Sequence, residues 1–479
     1  MRSTRQEQAP AGQPRPAPAH RLEALERVVA SLAAGAPRAV GGSVSEVTPA
    51  YCRIAGLSPF VRLGECVDLT TDGHSQLAEV VRIDAGGVTV KPFEATVRAG
   101  LGTTAWRRGF IMLNPHAAWK GRALNALGEP IDGAGPLVQG AHAVATEREP
   151  PPPMRRQRVR VPLKTGVKVV DLFAPLCAGQ RVGIFAGSGI GKSTLLAMLT
   201  RAPGFDTVVI ALVGERGREV REFMEDALRQ DRARAVSVIA TGDESAMMRR
   251  LAPKTAMCIA EYFRDQGEKV LLIVDSITRF AHAIREVGLA AGEPPVARGY
   301  TPSVFADLPK LLERAGPGGE GAGSITGVFS VLVDGDDHND PIADCIRGTL
   351  DGHIVLDRAI ADQGRYPPVN VLGSISRLAD AAWTPEQAKL VLRLRAMLAR
   401  FEDTRDLRLM GGYRSGADPA LDKAVELVPR IYEALRQRPD DPPCADVFQE
   451  MAQTLATQAA PAGSAQPLDA AAARRRGGG

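Results

Sequence analysis

Apolar positions along the chain follow different periods in different stretches, and each period predicts a different element. In residues 20–34, Leu22, Leu25, Val29 and Leu32 recur at helical spacing, with Arg21, Glu23 and Arg27 off the stripe. A helix this short is marginal alone in water, so its apolar face needs its own domain, a partner or a membrane surface to pack on. Between residues 38 and 113 the runs GGSVSEV, YCRIAGL, ECVDLTT, AEVVRID and GVTVKPF are short, β-rich and split by Gly, Asp and Pro. The last two flank Ala85-Gly86-Gly87 and predict a hairpin; the close strand spacing predicts a small barrel.

Residues 165–378 alternate strand-like and helix-like segments, the pattern of an α/β domain with a mainly parallel sheet. From residue 384 the pattern is helical. Thr384-Pro385-Glu386-Gln387 supplies an N-cap, a Pro at the first helical position and a Gln at N3, and Asp418-Pro419 repeats the device before ALDKAVEL. The Pro block of EPPPPMRRQRVRVP (149–162) marks a boundary, and its basic run reads as a solvated face. Residues 1–19 and the Ala/Gly/Pro-rich tail 456–479 are expected to be disordered.

Composition narrows the class. The 479 residues are 44% hydrophobic and 24% charged, an ordinary globular balance. A net charge of +4 is too small to make nucleic acid the main partner. The six cysteines are far apart with no CxxC pair, which argues against a zinc ribbon and suits a reducing cytosol. No apolar run approaches the roughly 18 residues of a membrane span, and the first 20 residues lack the apolar core of a signal peptide. A soluble, cytoplasmic chain is expected.

The candidate chemistry centres on VGIFAGSGIGKSTLLAML (182–199). An apolar strand runs into Gly187-Ser188-Gly189-Ile190-Gly191-Lys192-Ser193-Thr194 and then an apolar helix, fitting the phosphate-loop pattern G-x-x-x-x-G-K-[ST] except that Ala186 takes the first Gly place. The glycines let backbone N–H groups curl around phosphate oxygens, and the helix start adds its positive end. Lys192 can reach the β- and γ-phosphates, and the Ser193 hydroxyl can bind Mg²⁺. A second apolar strand, KVLLIVD, ends at Asp275, which suits organising Mg²⁺ through water. A third, DTVVIALVGER, ends at Gly214-Glu215-Arg216. Ligands of such sheets sit at the carboxyl ends of strands. Glu215 is therefore the candidate for orienting the attacking water, with a plain helix-start carboxylate as the alternative. Arg216, Arg218 and Glu219 read equally as an ion-pair network at a subunit boundary.

The ordered motifs AGSGIGKST, GERGREV, LLIVDSITRF, ARGYTPSVFADLPKLLERAG and RYPPVNVLGSISR resemble those of ATPases related to the catalytic subunits of F-type and V-type rotary enzymes. Within that set LKTGVKVVDLFAPLCAGQRVGIFAGSG, GDDHNDPIAD, LDGHIVLDRAIADQGRYP and LARFEDTRDLRLMGGY are most similar to the flagellar export ATPases of type III secretion. The resemblance covers roughly residues 38 to 450. It implies an α/β fold: a RecA-like P-loop core (114–380) after a small β-barrel (38–113), then a helical C-terminal domain (381–455). The tail and amphipathic helix at 1–37 and the tail at 456–479 flank these. It implies that Lys192, Ser193, Glu215 and Asp275 are the phosphate-loop lysine, magnesium hydroxyl, catalytic glutamate and magnesium-site aspartate. Arg216 and Arg279 become phosphate neighbours, Tyr366 the aromatic that stacks on adenine, and Arg377 an arginine finger lent across an interface.

Glu215 and Arg377 lie on one chain, so the simplest assembly is a homo-oligomeric ring in which each protomer completes its neighbour's site, and the resemblance implies that the ring is a hexamer. The resemblance implies a Mg-ATP hydrolase driving unfolding and release of export substrates at the flagellar export gate, working with chaperones at the inner membrane's cytoplasmic face. An injectisome ATPase is the runner-up. A rotary synthase subunit ranks lower, because the Asp-Glu-Leu-Ser-Glu-Glu-Asp lever is absent from the C-terminal third. The N-terminal stripe suits a stator-like regulatory protein better than acidic lipid, for it carries no dense Lys/Arg cluster, although peripheral membrane contact is admitted. An RNA-dependent ring helicase needs a basic, aromatic-rich platform; aromatics are 5% and residues 38–113 carry no such cluster. A scaffold with a degenerate site is disfavoured by the full set of site residues.

Overall fold

The computed structural model describes residues 39–71, 73–229, 231–333 and 340–456. The expected helix over 20–34 and the tail after 456 lie outside them, as do residues 335–339 of the GDDHNDPIAD stretch.

Six antiparallel strands open the structure: β1 (Gly41–Val47), β2 (Cys52–Ala55), β3 (Cys66–Thr71), β4 (His74–Asp84), β5 (Gly87–Pro92) and β6 (Thr104–Gly109). They close into a barrel in the order β1-β2-β5-β4-β3-β6. Closure leaves no strand edge to pair elsewhere. Alternate residues such as Ile54, Val67, Leu69, Val80, Val88 and Val90 fill the interior. The expected hairpin joins β4 to β5, with Asp84 opposite Gly87. Asp84 Oδ1 accepts the Gly86 N–H at 2.9 Å, and a Cβ on Gly87 would come within 2.7 Å of the Ile54 carbonyl oxygen. Strand β6 shows no alternation in the sequence: only Ala105 is buried, while Trp106, Arg107 and Arg108 face out. Pairing to β1 and β3 holds it, and Arg107 grips the buried Glu65 through two bonds of 2.8 and 2.7 Å.

Among the described residues the central sheet has nine strands. Eight carry the architecture: β7 (Ala123–Asn125), β8 (Arg181–Ala186), β9 (Thr207–Val213), β10 (Ala235–Ala240), β11 (Lys269–Asp275), β12 (Ser324–Leu332), β13 (Gly352–Val355) and β14 (Ile375–Ser376). Their order is β14-β13-β8-β12-β11-β9-β10-β7; all run parallel except β14, and the short Gly316–Pro317 strand pairs antiparallel with β12. Parallel strands covered on both faces read as continuous apolar runs, and all seven residues of β9 are buried.

Helices cover the two faces. Val209, Ala211 and Val213 pack with α3 (Ala246–Asp265), α4 (Ile277–Ala290) and α5 (Pro302–Arg314), after α1 (Lys192–Thr200) and α2 (Gly217–Glu222) in chain order. Val208, Ile210 and Leu212 share the opposite core with Leu195 and Leu196 of α1. That core continues into the C-terminal helices. After α6 (Pro341–Thr349) come α7 (Pro385–Asp403), α8 (Pro419–Ala434) and α9 (Val447–Ala456), contributing Leu394, Leu398, Val428, Ile431 and Met451. Both expected caps form. Thr384 and Gln387 make the reciprocal capping box, and Asp418 accepts the N–H groups of Ala420 and Leu421 at 3.0 and 3.2 Å. In the 149–162 segment Arg155, Arg158 and Arg160 are exposed, whereas Arg156 turns to Glu313 at 3.2 Å.

Candidate active site

Strand β8 ends at Ala186, and the chain turns through Gly187–Gly191 into α1. Gly189 and Gly191 hold φ of 75° and 103°, conformations strained for any side chain. Ala186 is the last extended residue of the strand, so its methyl group meets no such strain. Ser188 and Gly189 form the exposed crest, Ile190 is buried beneath it, and Arg358 donates to the Ser188 carbonyl at 3.0 Å. At the start of α1 the Lys192 side chain points inward, Ser193 is exposed and Thr194 is half-buried.

Three strand ends converge here, as side-by-side parallel strands require. Lys192 Nζ pairs with Asp275 Oδ1, lies 3.6 Å from Glu215 Oε1 and 3.4 Å from Ser330 Oγ. Ser330 Oγ donates to Asp275 Oδ1 at 2.6 Å. Burial alone would pull the Lys192 ammonium below its usual range, but the Asp275 and Glu215 carboxylates outweigh it and hold it above. Glu215 is pushed above the usual carboxylate range by burial, helped by Asp275 and Glu219 and opposed by Lys192. Arg279, on α4, packs its stem beside Gly214: a Cβ there would meet Arg279 carbons at 3.0–3.3 Å, and Gly214 has φ 70°. Arg279 Nε is buried with no hydrogen-bond partner among the described residues.

Arg216 is turned out to solvent, 86% exposed, with Glu219 at 3.7 Å its one ion-pair partner among the described residues. The network expected around it is a ladder of local surface pairs, Arg218–Glu222 at 2.7 Å and Arg221–Glu225 at 2.8 Å. Tyr366 stands beside the phosphate loop in a cleft of about 270 Å³ with Thr194, Met198, Pro367, Pro368, Arg438 and Pro439. The last two come from the C-terminal region, and nothing in the sequence pattern marked them. Gln437, 5% exposed, closes this corner: its N–H donates to the Tyr366 carbonyl at 3.0 Å, its Nε2 to the Gly166 carbonyl at 2.9 Å, and its Oε1 accepts from the Lys168 N–H at 3.0 Å. A larger cavity of about 330 Å³, with Arg365, Glu402 and Tyr432, also borders Tyr366 but touches no phosphate-loop residue.

Arg377 sits elsewhere. It follows β14, and its N–H donates to the carbonyl of Asp351, whose own N–H donates to Arg181 at the start of β8. Its side chain is exposed and has no ion-pair partner among the described residues. The phosphate loop leaves the other end of β8, about 17 Å away along the strand at the usual rise per residue.

Among the described residues no group of three or more His, Cys, Asp or Glu could cage a metal. Magnesium does not need one, since it keeps several waters and binds through one or two protein oxygens plus substrate phosphates. The exposed Ser193 hydroxyl and the Asp275 carboxylate are hard oxygen donors of that kind, and the unpartnered Arg279 Nε suits an anion beside them.

The comparisons agree with this geometry. The nucleotide-binding domain of the ATP synthase alpha/beta family matches residues 166–376, and the T3SS EscN ATPase C-terminal domain matches residues 383–453. The flagellum-specific ATP synthase of Agrobacterium fabrum is 58% identical over 415 residues, 87% of this chain and 88% of that one. The assembled ATPase EscN of the enteropathogenic E. coli type III secretion system superposes with a TM-score of 0.81 at 37% identity, covering 86% of this chain and 99% of EscN. EscN in complex with its central stalk EscO gives a TM-score of 0.78 at 36% identity, with coverage of 86% and 99%. The chain is a P-loop ATPase and belongs to the ATP synthase alpha/beta family, among the flagellar and type III secretion ATPases.

Proposed function

We propose that the chain is a Mg-ATP hydrolase that energises flagellar protein export, working as a homo-hexameric ring whose sites are completed across subunits. The observation that carries this reading is the placement of Lys192, Glu215 and Asp275 at one end of the sheet and a free Arg377 at the other. The first three supply a phosphate anchor, a water-orienting carboxylate and a magnesium-site carboxylate. With Mg²⁺ bound, the metal adds charge neutralisation on the phosphates, and Ser193 and Asp275 are the residues to hold it. Gly187–Gly191 present backbone N–H groups to the phosphates, Thr194 and Tyr366 flank the base, and Arg279 faces phosphate charge. Arg216 joins them after a side-chain turn. Arg377 stands at the other end of the strand from its own phosphate loop, which supports a role in a neighbour's site.

The 58% identity to a flagellum-specific enzyme, against 44% to type 3 secretion system ATPases, supports the flagellar over the injectisome reading. By analogy with EscN and EscO, a stalk protein occupies the ring axis. A stator-like protein at residues 1–37, export-gate components, substrates and chaperones complete the proposed partners, at a cytoplasmic site peripheral to the inner membrane.

Deleting the gene and assaying motility with export of hook and filament proteins tests the physiological claim. Cells that retain these proteins, rescued by wild type but not by Lys192→Ala, are expected. Motile cells with normal filaments would move the assignment to an injectisome. The chemistry has its own check in the pH profile of kcat/KM, which reports groups of the free enzyme. Glu215 must be ionised to orient water, and its pKa is raised, so activity is present above that pKa and lost as pH falls through it. The acid limb is therefore expected above the usual carboxylate range and should vanish in Glu215→Gln. A limb that persists unchanged in Glu215→Gln would reject the assignment.

A further inference from the structure

Strand β12 lies between β8, which delivers the phosphate loop, and β11, which delivers Asp275. Ser330 is opposite Ile184 on one side, and one step past the Phe329–Val274 pair on the other, which brings it level with Asp275. It is 0% exposed within the apolar run Val328-Phe329-Ser330-Val331. A hydroxyl is costly at such a place unless it is hydrogen-bonded. Here its single proton goes to Asp275 Oδ1 at 2.6 Å, leaving a lone pair toward Lys192 Nζ at 3.4 Å.

Asp275 thus has two side-chain partners, one charged and one neutral. Substrate phosphates draw the charged one away, because Lys192 serves them when ATP enters. The carboxylate must then keep its direction without its counter-ion, and magnesium tolerates little departure from octahedral geometry. We propose that Ser330 is a positioning residue for ATP hydrolysis, its hydroxyl holding the Asp275 carboxylate toward magnesium once Lys192 has moved to the phosphates. The proposal rests on the assignment of Asp275 to the magnesium site.

The test is the affinity of the full-length protein for a fluorescent ADP analogue, measured with saturating magnesium and again with EDTA. Outer partners of metal ligands typically govern about 10–100-fold in metal affinity, so Ser330→Ala should lose magnesium-dependent tightening by about that factor. Its EDTA affinity should match wild type. Ser330→Thr, which keeps the hydroxyl, should retain most of the magnesium effect. Ser330→Cys keeps the volume with only a weak donor and should behave like Ser330→Ala, so the readout survives if the Ala variant does not fold. Wild-type magnesium tightening in Ser330→Ala or Ser330→Cys, alongside its loss in Asp275→Asn, would overturn the proposal. Equal weakening with magnesium and EDTA would also overturn it, since that marks a general change of site shape. Tightening that survives in Asp275→Asn would instead bring down the Asp275 assignment, and the Ser330 role with it.

Discussion

Arg377→Ala is expected to bind nucleotide normally and to hydrolyse almost none. An arginine finger acts on charge that develops in the transition state, and such fingers contribute about 10³–10⁵ in rate in GTPases. Arg377 lies by the amino end of β8 while Lys192 lies past its carboxyl end, so the loss is expected to fall on the neighbour's site rather than its own. Mixing Arg377→Ala with Lys192→Ala protein should therefore restore turnover, although each is inert alone. In randomly mixed rings of equal parts, about a quarter of interfaces pair an intact phosphate loop with an intact finger, because the interface is heterologous. Turnover near that fraction of wild type is the expected result. No recovery at any mixing ratio would refute completion of the site in trans.

Glu215→Gln should separate binding from chemistry in another way. The amide keeps the side chain's size and leaves Asp275 to pair with Lys192, so affinity for an ADP analogue should change little. It cannot polarise water as a carboxylate does, and a positioned base typically contributes about 10²–10⁴ in rate. A steady-state ATPase assay beside the binding measurement decides the matter. Turnover at the wild-type rate would leave Glu215 as a helix-start carboxylate and nothing more.

These expectations were readable to different depths. The phosphate loop was plain because strand, glycines, Lys192 and helix are contiguous, and a local pattern needs no knowledge of what packs on what. Asp275 and Glu215 were readable one level less directly, from the rule that parallel strands expose their carboxyl ends together. Both caps were legible for the same local reason. Strand β6 was not, because pairing on both sides rather than apolar alternation holds Thr104–Gly109 in the barrel. The three residues of β7 were too few to carry any period. Ser330 looked like an interruption of an apolar run, since its meaning depends on β12 falling between β8 and β11. Arg438 and Pro439 were equally silent: they reach the cleft beside Tyr366 only through the fold of the C-terminal region.

Gln437 carries a mechanical consequence. It is tied to Tyr366, the aromatic proposed to stack on adenine, and to Gly166 and Lys168 at the entrance of the ATPase core, and it comes three residues after α8 ends. Leu409 and Met410, 75% and 85% exposed, stand at the far tip between α7 and α8. If Tyr366 stacks on adenine as proposed, a push on that tip, carried as a torque along α8, would reach the base through Gln437. Linked equilibria are reciprocal, so whatever load loosens the nucleotide is itself resisted when the nucleotide tightens. On that reading the hairpin of helices is a lever whose short arm is a single glutamine, and a load at one end would appear as a change of affinity at the other.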